Sequence, residues 1–130
     1  MTEFDTAQVA AEIRERFEAY EAALGANDVA ALTAFFWDSD RAVRLAPGGG
    51  LYGHASIAAF RKGRDVTDME RTLSEVRIEV LTPDIGIATC EYRRTGSGRR
   101  GAQSQVWQRF PEGWRIVSAH VSLDPPAVRS

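Results

Sequence analysis

Near the start of the chain, apolar residues recur every three or four positions: Val9, Ile13, Phe17, Tyr20 and Leu24. This spacing puts one apolar stripe on a helix and predicts an amphipathic helix over 5–24. Asp5 followed by Gln8 suits a capping box at its start, and Gly25 suits its end. Asn27 or Asp28 would cap a second helix that runs to about Trp37 and turns Val29, Leu32, Phe35 and Phe36 inward. Arg41 to Ala46 reads as a strand, Pro47-Gly48-Gly49-Gly50 as a turn, and Leu51-Tyr52-Gly53 as a short return strand. A third helix over 54–62 would bury Ile57 and Phe60. The polar residues 63–70 read as a loop that could serve as a lid.

From residue 71 the period changes to two, with Val76, Ile78 and Val80 alternating with charged neighbours. Pro83-Asp84 marks a turn, and 85–94 a long strand. After a loop at Thr95-Gly96-Ser97-Gly98, a strand runs from 100 to 110. Pro111-Glu112-Gly113 returns the chain into a last strand, 114–123, which Asp124-Pro125-Pro126 ends. Three helices ahead of a meander give an α+β layout with one curved antiparallel sheet. A sheet wrapped around a helix leaves a concave space at its open end, where small molecules bind. Without repeats or linkers, residues 1–130 read as a single domain.

Composition narrows the function classes. Of 130 residues, 44% are hydrophobic and 26% charged, which suits one buried core in a soluble globule. Sixteen basic and eighteen acidic residues leave a net charge of -2, against a general nucleic-acid or membrane-surface binder. No apolar run is long enough to span a bilayer. Met1-Thr2-Glu3-Phe4-Asp5 lacks the features of a signal peptide, and the single cysteine, Cys90, allows neither an internal disulfide nor a thiolate metal cluster. These features point to a cytoplasmic protein. All the basic residues except Lys62 are arginines, whose forked guanidinium matches carboxylates.

Several side chains are candidates for chemistry. Tyr20 lies on the apolar stripe, so its hydroxyl needs a partner, either in the core or as a donor or acid/base in a pocket. Arg44 sits within the apolar strand Ala42-Val43-Arg44-Leu45-Ala46 and needs an anion or an exit to water. It would pair with a surface acid or hold a substrate carboxylate by two parallel bonds. Trp37 closes a run of three aromatics and belongs to the core or to a pocket wall. A two- or four-residue hairpin after Phe110 would place Gln103, Gln105 and Trp107 on one face with Ser118, His120 and Ser122, whereas a three-residue loop would exchange the faces. On the concave face that patch would bind a ligand; on the outer face it would meet solvent or another subunit. His54 reads as a surface or capping residue, and Cys90 as a small buried residue rather than a nucleophile. Arg93, Arg94, Arg99 and Arg100 flank one loop and could bind an anion. Two isolated histidines support no metal site, and neither a P-loop nor a G-x-S-x-G elbow occurs.

Four segments carry a resemblance over about 6–124: residues 17–24 (Phe-Glu-Ala-Tyr-Glu-Ala-Ala-Leu), Val43-Arg44-Leu45, Leu51-Tyr52-Gly53 and 103–122. The last contains Trp114-Arg115-Ile116-Val117, then His120-Val121-Ser122, after a Phe110-Pro111-Glu112-Gly113 turn, and is the most specific. Together they resemble the AtzH/HpxZ-type family of the nuclear transport factor 2-like (SnoaL-like) superfamily. The resemblance implies a cone-shaped, cystatin-like α+β barrel, a homodimer, and a part in bacterial catabolism of urea-like nitrogen compounds. AtzH-type proteins convert 1,3-dicarboxyurea to allophanate, and HpxZ-type proteins accompany oxalurate and purine breakdown; both associate with an amidase. The family's tyrosine and arginine pair falls on Tyr20 and Arg44. The resulting expectation is a hydrolase without cofactor or metal, in which Tyr20 and Arg44 act on a carboxylated urea. Trp37 and Trp107 would wall the pocket, and Gln105, Ser118 and His120 would contact the substrate. The rival expectation is a carboxylate-binding accessory protein for an amidase. Isomerase or dehydratase chemistry would need a base in the cone, for which Glu91 and His120 are the candidates.

Overall fold

The structure is a computed structural model that describes residues 4–126. Residues 1–3, part of the segment read for a leader, and 127–130 lie outside the described residues. Helix α1 spans Thr6–Gly25 and buries the expected stripe of Val9, Ile13, Phe17, Tyr20 and Leu24. Asp5 Oδ1 caps it by accepting from the Gln8 amide at 3.0 Å. The capping box is only half formed, because the Gln8 side chain donates to Glu12 at 3.4 Å instead. Asn27 makes the left-handed turn after α1, at φ 49°, a conformation asparagine tolerates. Asp28 then caps α2 (Val29–Ala34) through the Ala31 amide.

Helix α2 is shorter than the sequence predicts. Phe35 and Phe36 are buried as expected, at 6% and 1% exposure, but past the helix end, Phe35 as its C-cap and Phe36 in a β-bridge to Ile116. Here the backbone of the last strand competes with the helix for hydrogen bonds: the Ile116 amide donates to Phe35 O, and the Trp37 amide donates to Ile116 O. A hairpin of β1 (Val43–Ala46) and β2 (Gly49–Tyr52) follows, then α3 (His54–Gly63). The meander is β3 (Arg71–Thr82), β4 (Ile85–Arg94), β5 (Arg100–Phe110) and β6 (Gly113–Leu123).

These strands form one sheet in the order β2-β1-β6-β5-β4-β3. The pairing is antiparallel except between β1 and β6, which run parallel. α1 packs across the concave face, where Ile13 is fully buried. The flat backbone of Gly86 makes room for it: a Cβ there would lie 2.4 Å from Ile13 Cδ1.

Two of the sheet's three register shifts set which side chains near the cavity face inward. In β3 the register with β4 shifts between Ser74 and Arg77, around Glu75 at φ 52°. In β6 the pairing jumps from Trp107–Ile116 to Val106–Ser118, leaving Val117 as the extra residue. An extra residue reverses the alternation of every side chain beyond it. Arg71 and Leu73 therefore join Val76, Ile78 and Val80 on the inner side, and Ser118, His120 and Ser122 turn outward.

Candidate functional site

A cavity of about 420 Å³ opens between the end of α1, the β1–β2 hairpin, α3 with the loop after it, and the inner face of β3 to β6. α1 contributes Tyr20 and Leu24, and β1 contributes Arg44. α3 contributes Phe60 and Arg61, followed by Arg64, and the sheet contributes Arg71, Tyr92, Arg94 and Gln103. Among the described residues, five arginines line this space against one carboxylate, Asp65.

Tyr20 stands at the base with 3% exposure, held edge-on by Phe35 (centroids 5.6 Å apart) and Phe36. Arg61, itself 1% exposed, donates from Nη2 to the Tyr20 hydroxyl oxygen. That oxygen is the acceptor, so the hydroxyl proton remains available to a ligand. The Arg44 guanidinium lies over the Phe60 ring, 4.8 Å from its centroid. Burial, reinforced by Arg61, lowers the pKa of Arg44 to about 10, and that of Arg64 also to about 10. Both remain cations at neutral pH.

Arg71 is differently placed. Its Nη2 donates to both oxygens of Glu21 and, at 3.1 Å, to Gln103 Oε1. Its charge is therefore balanced, and Arg94 has Asp68 at 3.9 Å. Arg44, Arg61 and Arg64 have no carboxylate within salt-bridge distance among the described residues. Buried donor atoms around the cavity also lack partners: Arg44 Nη1, Arg61 Nε and Nη1, Arg64 Nε and Nη2, Arg71 Nε and Gln103 Nε2. Buried donors are seldom left unmatched, because each carries the full cost of its lost hydration. This arrangement suits a small ligand that brings negative charge and several acceptor oxygens.

The structure places Tyr20 and Arg44 in one cavity. Trp37 lies outside that cavity, stacked on Phe110 at 5.7 Å with Arg41 over its ring. Gln105 and Trp107 are inward but deeper than the cavity, and Trp107 Nε1 donates to Gln105 Oε1 at 3.0 Å. The Trp107 N–H and the Gln105 carbonyl oxygen thus satisfy each other, and the inward amide that lines the cavity is Gln103, two residues along β5. Ser118 and His120 do not share the face of Gln105. The two-residue hairpin forms, but the bulge at Val117 turns both to the exposed outer face.

Glu91 is also exposed, so neither candidate base for isomerase chemistry faces the cone. Burial pushes the Cys90 thiol up to about 11, which disfavours a thiolate. His54 holds the start of α3 to α2 by donating from Nε2 to Thr33 O at 3.1 Å. Of the loop arginines, Arg94 lines the cavity, while Arg100 lies 3.7 Å from Glu91.

The sequence reading missed Arg61, Arg64 and Arg71. A signal existed for the first two: Ile57, Phe60, Arg61 and Arg64 follow helical spacing, which puts the arginines beside the apolar stripe.

Comparison with known proteins agrees with this architecture. The AtzH-like family matches residues 2–126. A protein with unknown function from the DUF3225 family of Pectobacterium atrosepticum superposes with a TM-score of 0.87 at 44% identity, over 92% of this chain and 93% of that one. A cystatin-like fold protein from Burkholderia xenovorans gives 0.84 at 31% identity, over 89% and 92%. A nuclear transport factor 2-like superfamily protein from Salmonella enterica gives 0.72 at 27% identity, over 97% and 96%. No curated protein matches the sequence significantly. Among the described residues, no helix is long and apolar enough to cross a membrane.

Proposed function

The chain belongs to the AtzH-like family, and from that premise we propose that it is a small hydrolase acting on a carboxylated urea such as 1,3-dicarboxyurea. The observation that carries this reading is the set of unmatched guanidinium donors of Arg44, Arg61 and Arg64 around the Tyr20 hydroxyl. Arg44 binds a substrate carboxylate through its fork, and Arg64 and Arg61 balance the remaining negative charge. Phe60 holds the plane of Arg44. The oxygen of water bonds to the terminal carboxyl carbon, the bond from that carbon to nitrogen breaks, and the nitrogen takes a proton. The products are bicarbonate and allophanate. Tyr20, with Arg61 fixing its oxygen, supplies the hydroxyl that orients the water or protonates the leaving nitrogen. The working unit under this proposal is a homodimer, which the sequence resemblance supports and sedimentation would test.

The decisive measurement is release of bicarbonate from 1,3-dicarboxyurea by wild type, Tyr20→Phe and Arg44→Ala. Tyr20→Phe is expected to lower kcat by roughly 100-fold or more, the scale of a lost proton-transfer group. Arg44→Ala is expected to raise KM as well. Unchanged rates in both variants would remove these roles. A wild type that turns nothing over, yet co-purifies with an amidase in fixed ratio, would replace the hydrolase with an accessory carboxylate-binding protein.

A further inference from the structure

The charge within the cavity is uneven. On the side of β1 and α3, Arg44, Arg61 and Arg64 present cationic donors without carboxylates. On the side of the sheet, Glu21 cancels the charge of Arg71, and the unmatched side-chain amide there is Gln103 Nε2. Gln103 is 8% exposed, so this donor is nine-tenths buried. Its orientation follows from chemistry. A guanidinium only donates, so the amide end 3.1 Å from Arg71 Nη2 must be the oxygen. The NH₂ end is then directed elsewhere, and the residue lines the cavity.

We propose that Gln103 is a specificity residue whose Nε2 donates to an uncharged carbonyl oxygen of the ligand, while the arginines hold its carboxylates. The proposal rests on the anion-binding reading above. A neutral amide beside a balanced ion pair offers little to a carboxylate that a free guanidinium could bind instead. It suits a ketone, amide or urea oxygen, which needs one directed donor and no charge. Glu21 and Arg71 act as positioning residues: they fix which end of Gln103 meets the ligand. A ligand with an N–H at that point would set donor against donor and be rejected. The preferred class is therefore a short dianion with a carbonyl between its carboxylates.

The test uses two dianions of equal length, glutarate and 3-oxoglutarate, which differ only in the central carbonyl. Binding is measured by calorimetry on wild type and on Gln103→Met. Wild type is expected to prefer 3-oxoglutarate by roughly tenfold, the value of one well-made hydrogen bond. Gln103→Met is expected to bind glutarate as wild type does and to lose the preference. Equal affinities in wild type, or a preference that survives in Gln103→Met, would overturn the proposal. So would a Met variant that loses glutarate too, since that marks a structural role. If wild type binds neither dianion, the anion-binding reading itself fails and takes this proposal with it.

Discussion

Arg61 places a charge where folding alone would not favour one. It is buried on an otherwise apolar helix face, and its contact with Tyr20 leaves Nε and Nη1 unmatched. Replacing a poorly compensated buried charge with an apolar side chain of similar reach commonly stabilises a protein. Arg61→Met is therefore expected to raise stability by about 1–2 kcal/mol, on the order of 5 °C in Tm. The same variant should lose most of its affinity for a dicarboxylate. Thermal unfolding with and without glutarate checks both halves, and a lower Tm with ligand stabilisation intact would contradict them. Arg44 and Arg64 add a dependence on pH. Each has a folded pKa of about 10, below that of a free guanidinium. Between those values the unfolded chain holds protons that the folded protein has released, so their contribution to stability rises with pH there and is unfavourable below. Ligand binding runs the opposite way: affinity for a dianion should fall as pH rises through about 10. Titration calorimetry across that range would show it.

At the scale of elements, the β-bulges decide the site. Strict alternation back from Val76 would point Arg71 outward, and the extra residue near Glu75 brings it in. Strict alternation along β6 would keep Ser118 and His120 beside Gln105, and the extra residue at Val117 takes them out. The order and length of the four meander strands were legible in the sequence because side-chain period and turn residues announce them, whereas Gly49 and Gly50, read as turn, belong to β2. The bulges were not, because nothing in Leu73-Ser74-Glu75-Val76 or Ile116-Val117-Ser118 requires one; pairing with the neighbouring strand creates it. Glu75 offers a direct test. Its φ of 52° is a conformation that a branched side chain resists and glycine accepts. Glu75→Ile is expected to lower stability by about 1–2 kcal/mol, and Glu75→Gly to leave it equal or higher by up to about 1 kcal/mol. A chemical-denaturation series that ranked isoleucine above glycine would mean that the bulge does not hold this geometry.

For the whole molecule, a net charge of -2 conceals a strongly cationic interior space. Tyr20 and Arg44 were legible because each is a polar residue in an apolar stretch. The charge of the cavity was not, because it comes from separate segments: β1, α3 and the loop after it, β3 and β4. Only folding brings Arg44, Arg61 and Arg64 together, so their repulsion is a property of the folded state. A dianion that neutralises them binds that state alone and must stabilise it. At a ligand concentration about a hundredfold above Kd, linkage gives about 2.7 kcal/mol, roughly 10 °C for a domain of this size. The neutral diamide of glutaric acid has the same length and carbonyls but no charge, and it should leave Tm unchanged. Monovalent salt at equal ionic strength should not reproduce the shift either, because buried charges are screened less than exposed ones. A diamide that stabilised as well as the dianion would show that the cavity recognises shape and hydrogen bonding rather than charge.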